Sequence, residues 1–186
     1  MMKLRYWLAT LALTQVATTS TVLAAGFQVS PRVGNTTLRL DADATTRNTV
    51  IEKDAFLVGV TLGYVTPIGL MFEGGYGSQN NSDWFDDQDK YRLSEYTLAA
   101  GWQFATPHGF RITPKVGRTR WDLYSDDAPL TYAQVDTNTR RGYDNFWELT
   151  LQKTITDSIA LGVTFKDNPY DFGNVKSIAF TASFGL

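Results

Sequence analysis

The chain has 186 residues, of which 43% are hydrophobic and 13% aromatic, and this length and composition predict one compact domain. Its 17 basic and 19 acidic side chains nearly balance, so the charge favours neither a nucleic-acid-binding protein nor a polyanionic tail. The lack of cysteine excludes a disulfide framework, a thiolate metal site and a cysteine nucleophile, and the single histidine, His108, excludes a histidine-rich metal cage within the chain.

The first 24 residues have the features of a cleavable export signal. Two basic residues precede an apolar stretch at 6–13, which is far shorter than the roughly 20 residues of a membrane-spanning helix. Small residues lead up to Ala24, which suits signal cleavage. We therefore predict Sec-type export, a signal peptide at 1–24 and a mature domain at 25–186.

From Gly26 onward, apolar and polar residues alternate with the period of two that is typical of β-strands. The clearest segment is 55–65, where aromatic and branched residues share one face and glycine and threonine share the other. The sequence Thr66-Pro67-Ile68-Gly69 suits a type I turn, so the chain should reverse there into a strand at 70–76.

The same construction recurs twice further along the chain. A strand at 95–104 is followed by a turn at 106–109 and a return strand at 110–116. A third hairpin has strands at 147–152 and 159–166 around a turn at 154–158. Within the second hairpin, Pro114 cannot donate a hydrogen bond to a sheet, so it predicts either a bulge or a locally unpaired amide.

Segments at 27–33 and 178–186 complete a set of eight predicted strands. As the terminal strands, they are the natural partners to close the sheet into an antiparallel up-and-down β-barrel, which leaves no unpaired edge. The connections alternate strictly between the three short turns and longer polar segments, 41–54, 77–90, 123–144 and 167–176. This asymmetry is typical of outer-membrane barrels, with short periplasmic turns and long extracellular loops.

The two faces of the strands favour a membrane barrel over a soluble one. The polar face is rich in glycine, threonine, serine and alanine, which suit a narrow interior, and the apolar face carries aromatic residues towards both ends of the strands. The charged residues within the strands all fall on the small-residue face: Arg32, Glu73, Glu95, Arg111, Lys115, Glu148 and Lys166. We predict that these seven side chains form an ionic network that fills the barrel interior.

These features resemble small outer-membrane barrels of the OmpA-like and OmpX-like kind, which share the outer membrane protein β-barrel domain. The resemblance implies insertion by the barrel assembly machinery and a location in the outer membrane of a Gram-negative bacterium. It also brings two enzymatic activities into question, lipid A deacylation and acyl transfer. Because His108 falls in a predicted periplasmic turn, a Ser-His hydrolase would have its base on the wrong side of the membrane, and we expect neither catalysis nor a cofactor.

Three groups of residues near the predicted outer end are candidates for contacts. Arg118, Arg120, Arg140 and Arg141 flank the third long connection and could pair with lipopolysaccharide phosphates, or equally with nearby aspartates. Trp84 and Phe85 in the second long connection could contact a partner or pack against neighbouring loops. The aspartates around them match no EF-hand pattern, and a solvated acidic loop is the simpler interpretation.

Beyond Gly117 the alternation is harder to follow, which a bulge or a strand extending above the membrane would explain.

The sequence thus predicts a monomeric structural or surface-interaction barrel that contacts outer-membrane lipid and lipopolysaccharide but no nucleic acid. Its extracellular partner is not specified by such generic loops. Three alternatives stay open: a narrow porin-like channel for ions or small solutes, a lipid A modifying barrel enzyme, and a soluble periplasmic β-barrel.

Overall fold

The computed structural model describes residues 25–40, 51–80, 91–125, 139–171 and 173–186. These residues contain no helix of the length and hydrophobicity that a membrane crossing requires. Their β-strands are β1 Gly26–Leu40, β2 Ile51–Val65, β3 Leu70–Asn80, β4 Tyr91–Trp102, β5 Phe104–Ala105, β6 Phe110–Ser125, β7 Thr139–Thr156, β8 Ile159–Tyr170 and β9 Gly173–Gly185.

The strands pair antiparallel in chain order, except that β4 and β5 both pair with β6 and not with each other, and β1 also pairs with β9. Strands β4 and β5 lie end to end along β6 and together form one barrel strand. The described residues therefore form a closed eight-stranded meander barrel, as the alternation predicted. Closure leaves no strand edge with unpaired backbone groups, which a strand in lipid requires.

The break between β4 and β5 occurs at Gln103, directly after Trp102, which the register places opposite Pro114 on β6. Proline has no N–H to offer the ladder, so pairing is interrupted there. The register is the same on both sides of the break, so no residue is inserted and there is no bulge. The Gln103 amide instead donates to the carbonyl of Gly69 in the neighbouring turn, at 2.8 Å.

The first two turns have the predicted geometry. The amides of Gly69 and Gly109 donate to the carbonyls of Thr66 and Thr106, at 2.9 and 3.0 Å. Both glycines have positive φ, 88° and 74°, a conformation that side chains other than glycine rarely adopt. The third turn is tighter than predicted, because β7 continues to Thr156 and β8 begins at Ile159.

At the opposite end the strands run further than predicted. β2 begins at residue 51, β3 ends at 80, β6 ends at 125 and β7 begins at 139, so the predicted long connections shrink to 41–50, 81–90 and 126–138, which lie outside the described residues. The prediction of a long fourth connection at 167–176 is wrong. Strands β8 and β9 extend to Tyr170 and from Gly173. Inward Asn168, Tyr170 and Val175 continue the alternation there with polar outward residues such as Asp167 and Lys176.

The barrel is apolar outside and polar inside over most of its length. Outward Leu98 and Phe180 are each 72% exposed, whereas inward Thr164 and Thr181 are each 3% exposed. A soluble protein would bury the leucine and phenylalanine, so this pattern requires a hydrocarbon environment around the barrel.

On each barrel strand, the outward residues change from mainly apolar to mainly polar, although Tyr124, Tyr143 and Pro169 also point outward beyond this change. The last apolar and first polar outward residues are Val33 and Asn35, Phe56 and Asp54, Tyr76 and Ser78, Tyr96 and Ser94, Val116 and Arg118, Trp147 and Asn145, Phe165 and Asp167, and Ile178 and Lys176. We call the part with apolar outward residues the membrane section, and the part beyond this boundary the outer section.

Candidate functional site in the barrel interior

Four charged side chains meet inside the membrane section, and we call them the central ionic cluster. Arg32 on β1 donates to Glu73 on β3 at 2.9 Å and to Glu148 on β7 at 2.7 Å. Lys115 on β6 reaches the same two carboxylates, at 3.1 Å from Glu73 and in direct contact with Glu148. Each cation therefore contacts both anions, and the cluster is electrically neutral.

Neutrality and closure of the barrel explain why this cluster is tolerated. The side chains of Lys115 and Glu148 are each only 2% exposed, and isolated charges at such positions would pay a large desolvation cost. Mutual pairing offsets that cost as long as all members are present. Removing one member of a buried ion pair typically costs about 3 to 5 kcal/mol, because the remaining charge is left uncompensated.

A second polar cluster lies around Glu95, near the boundary with the outer section. Lys166 donates to one carboxylate oxygen at 2.8 Å, and Asn168 donates to the other at 3.2 Å. The hydroxyl of Tyr170 donates to the same oxygen as Asn168. The Lys166 ammonium also lies 4.5 Å from the centre of the Phe146 ring. Three donors on β8 thus hold one carboxylate on β4.

Arg111, the seventh predicted network residue, does not join either cluster. It lies at the turn end of β6, is 3% exposed, and donates from Nε to the Thr154 hydroxyl at 3.0 Å. No hydrogen-bond partner for its Nη2 atom is found among the described residues. The predicted set is therefore three separate groups rather than a single network.

Hydroxyl and amide side chains fill the rest of the membrane section. Thr164 bridges Thr150 and Thr181, at 3.1 and 2.8 Å, and Ser183 contacts Ser30 and Gln152, at 2.8 and 2.6 Å. Between these groups lie two cavities of about 30 and 10 Å³. A cavity needs at least about 10 to 15 Å³ to hold one water molecule, so each has room for very few.

The outer section contains an apolar core inside the barrel, which we call the outer core. Sequence reasoning missed it: it comprises Leu38, Ala55, Tyr91, Leu93, Trp121, Leu123, Tyr170 and Val175, each at most 6% exposed. The indole of Trp121 donates to Asp144 at 2.7 Å and lies 5.6 Å from the Tyr170 ring. It also fills the space beside Gly142, where a Cβ would come within 2.5 Å of the indole.

The signal for this core was the regular alternation of inward and outward positions along the strand. β6 pairs in continuous register from Phe110 to Tyr124, so no bulge changes which residues face inward. Trp121 and Leu123 have the same parity as Lys115 and therefore also point inward. Of the two explanations for the irregular pattern beyond Gly117, a strand extending above the membrane is therefore the one observed.

The four predicted surface arginines divide into two pairs. Arg140 contacts Asp171 at 3.1 Å, and Arg141 lies 3.8 Å from Asp122. Arg118 and Arg120 point outward from β6, just beyond the boundary. The Arg118 guanidinium is 5.4 Å from the centre of the Tyr143 ring, and neither arginine forms an ion pair with a described carboxylate.

The remaining candidates lie elsewhere. His108 is exposed in the turn at 106–109, where the sequence placed it. Trp84 and Phe85, with the surrounding aspartates, lie outside the described residues. In the part of the chain that is described, no group of three histidine or acidic side chains could hold a metal ion.

Comparison with known proteins gives one family and several structures. A model described as the outer membrane protein β-barrel domain matches residues 7–186. Neisserial surface protein A is 11% identical with a TM-score of 0.68, over 87% of this chain and 98% of that chain. Ail, the attachment invasion locus protein of Yersinia pestis, is 11% identical with a TM-score of 0.57, over 87% and 99%.

The N-terminal β-barrel domain of Pseudomonas aeruginosa OprF is 15% identical with a TM-score of 0.53, over 87% of this chain and 98% of that chain. At such identities these structures show a shared fold only. No curated protein matches the sequence.

Proposed function

Since the chain belongs to the outer membrane protein β-barrel domain family, we propose that it is a non-conducting barrel of the outer membrane. In this proposal the barrel holds segments 41–50, 81–90 and 126–138 at the cell surface, where they contact the surroundings. We further propose that it is exported by the Sec route with a signal peptide at 1–24, is inserted by the barrel assembly machinery, and acts as a monomer.

The observation that carries this proposal is the filled interior of both sections. The central ionic cluster spans the lumen from β1 to β7 in the membrane section. Above it, the outer core packs Leu38, Leu93 and Trp121 at 1% exposure or less. An open pore needs a continuous polar path, and an apolar plug in series with an ionic one is poorly suited to that role.

The length of the outer section supports a surface role. In β6 it runs from Arg118 to Ser125, which at about 3.3 Å per residue corresponds to about 26 Å of strand. Its apolar core gives it the internal packing of a soluble domain. We infer that it serves as a rigid support that raises the connecting segments above the lipid surface.

The acidic side chains argue against catalysis by this barrel. Glu73 and Glu148 are each held by two cations, and Glu95 accepts from three donors. A general acid or base must exchange protons with a substrate within hydrogen-bond reach, and these carboxylates are occupied and enclosed. We therefore propose a structural rather than an enzymatic role for them.

Planar-bilayer recording separates this proposal from the pore alternative. Protein whose folding is verified by heat-modifiable gel migration should give no discrete conductance steps when it is added to the bilayer. Steps that recur between preparations and scale with the amount of folded protein would contradict the proposal and support a channel.

The surface role is tested on cells that carry variants in which each of the three segments is replaced by glycine and serine of equal length. For each variant and the wild type, we would measure attachment of the cells to matrix protein, to other bacterial cells and to a sulfated polysaccharide. The polysaccharide is included because one Ail structure contains a heparin analogue. Wild-type protein should increase attachment to at least one surface, and a replacement should abolish the gain at unchanged outer-membrane level. No gain on any surface would contradict the contact role.

Lipid A composition tests the enzymatic alternative independently. Mass spectra of lipid A from cells with and without the protein should show the same acyl pattern. A reproducible change in acylation, lost on substituting a single barrel residue, would overturn the non-enzymatic role.

A further inference from the structure

The outer wall of the barrel carries a groove at the boundary between the membrane section and the outer section. It has a volume of about 590 Å³, and we call it the lateral groove, lined chiefly by Gly74, Tyr96, Leu98, Arg118, Arg120 and Tyr143. It lies on the side of the barrel, not in the lumen, and crosses β3, β4, β6 and β7. The groove exists because Gly74 has no side chain between larger outward neighbours.

The strand register explains the shape of the groove. In one row across the strands, Arg120 pairs with Tyr96 on one side and Tyr143 on the other. In the next row towards the membrane section, Arg118 pairs with Leu98, which in turn pairs with Gly74. Leu98 and Gly74 in the lower row therefore provide an apolar floor. Arg118 at the end of that row, and Arg120 between two phenol rings in the upper row, provide the polar part of the groove.

The two cations of the groove differ from the other two arginines that flank the third long connection. Arg140 and Arg141 have aspartate neighbours at 3.1 and 3.8 Å. Arg118 and Arg120 form no ion pair with a described carboxylate, although Asp122 follows Arg120 on the same face of β6. Both arginines point outward where hydrocarbon gives way to headgroups. They alternate along one strand, so their Cα atoms are separated by about 6.6 Å. Two adjacent guanidiniums without carboxylates form an anion site facing the lipid.

We propose that the lateral groove binds a phosphorylated glycolipid of the outer leaflet, with lipid A phosphate on Arg118 and Arg120 and an acyl chain over Gly74 and Leu98. Only a membrane lipid presents a phosphate directly above an acyl chain at this depth. Guanidinium groups pair with phosphate through two parallel hydrogen bonds, and two guanidiniums suit a headgroup with more than one negative charge. This inference rests on the orientation assumed in the proposed function, with the outer section at the cell surface.

The binding test uses the complete folded barrel in detergent, titrated with bisphosphorylated lipid A and followed by native mass spectrometry. Wild-type protein should retain the lipid, and R118Q/R120Q should weaken apparent binding at least tenfold. The matched control R92Q/K176Q removes two exposed outward charges outside the groove and should bind like the wild type. Equal binding by R118Q/R120Q and the control would overturn the proposal.

A second variant tests the apolar floor without altering any charge. A Cβ at Gly74 would lie 3.6 Å from the nearest Leu98 atom, which is ordinary contact, so G74F should fold while filling the groove. Its binding of lipid A should also fall at least tenfold, with folding verified by heat-modifiable migration. Undiminished binding by folded G74F would overturn the groove as the acyl site.

Phosphatidylglycerol identifies the source of the phosphate. The wild type should bind it at least tenfold more weakly than bisphosphorylated lipid A; equal binding would overturn the assignment to lipid A. Failure of all lipid binding by a barrel that is still found in the outer membrane and is non-conducting would refute this inference alone and leave the proposed function standing.

Discussion

The membrane section and the outer section are built from the same strands but have opposite interiors. In the membrane section, leucine, valine and phenylalanine face outward, and charged and hydroxyl side chains fill the lumen. In the outer section, asparagine, lysine and arginine face outward, and the lumen holds an apolar core. The outside must match its solvent, hydrocarbon in one case and water in the other. Inside the barrel, ion pairs and hydrogen bonds stabilise the membrane section, and apolar packing stabilises the outer section.

The largest expected effect comes from breaking the central ionic cluster. Replacing Glu148 by leucine leaves Arg32 and Lys115 sharing the one remaining carboxylate. We expect the free energy of unfolding to fall by about 3 to 5 kcal/mol, measured by urea unfolding of the barrel in lipid vesicles. The double variant K115M/E148L removes one charge of each sign and should lose less. A loss below about 1 kcal/mol for E148L would show that the cluster does not sustain the membrane section.

A cavity in the outer core should cost somewhat less. Leu93 is fully buried, and substitution by alanine should lower the free energy of unfolding by about 2 to 5 kcal/mol, as is typical of leucine in a packed core. The matched variant L93M conserves volume and should cost less than about 1.5 kcal/mol. Hydrogen exchange should locate the loss of L93A in the outer section. Equal effects of the two substitutions would contradict a tightly packed core.

The position of the boundary can be tested on one face of β9. Phe180 and Asn174 both point outward, on opposite sides of the proposed boundary. F180K places a cation in hydrocarbon and should cost about 2 to 4 kcal/mol near the bilayer midplane. N174K adds the same charge beyond the proposed boundary, opposite Arg39, and should cost less than about 1 kcal/mol. Similar costs at both positions would remove the distinction between the sections.

The smallest expected effect concerns the exposed pair of Arg140 and Asp171, whose side chains are 28% and 54% exposed. The pair combines the same charge types as the central ionic cluster but lies in water. D171N should therefore change the free energy of unfolding by less than about 1 kcal/mol, and added salt should reduce the difference further. A loss as large as that of E148L would mean that burial is not what makes the central cluster strong.

The membrane section could be predicted from the sequence in detail because local rules determine it. Alternation from 55 to 65 fixed the two faces of β2, and proline followed by glycine fixed the turns ending at Gly69 and Gly109. Pairing partners inside the lumen could not be predicted. Arg32 and Glu148 are 116 residues apart, and their contact depends on how the closed barrel aligns strands that are not neighbours.

The outer section was harder to predict because its polar outward residues resemble those of loops. The polar residues at 167–176 therefore predict a connection, although Asn168, Tyr170 and Val175 point inward from strands that continue. The mistake has a physical cause: outside the bilayer, a strand no longer needs apolar residues on its outward face. Following the parity of inward positions past the boundary would have revealed both the longer strands and the outer core.

A scan of single cysteine substitutions along β9, from Asn174 to Phe184, tests most directly which residues of the two sections face lipid, water or the lumen. The natural chain has no cysteine that would interfere with labelling. A fluorophore at 178, 180, 182 or 184 should be quenched by lipid-restricted quenchers, and one at 174 or 176 by aqueous quenchers. At the inward positions between them, neither quencher should have access. Quenching from water at 178 and 180, or from lipid at 179 and 181, would contradict the arrangement of both sections.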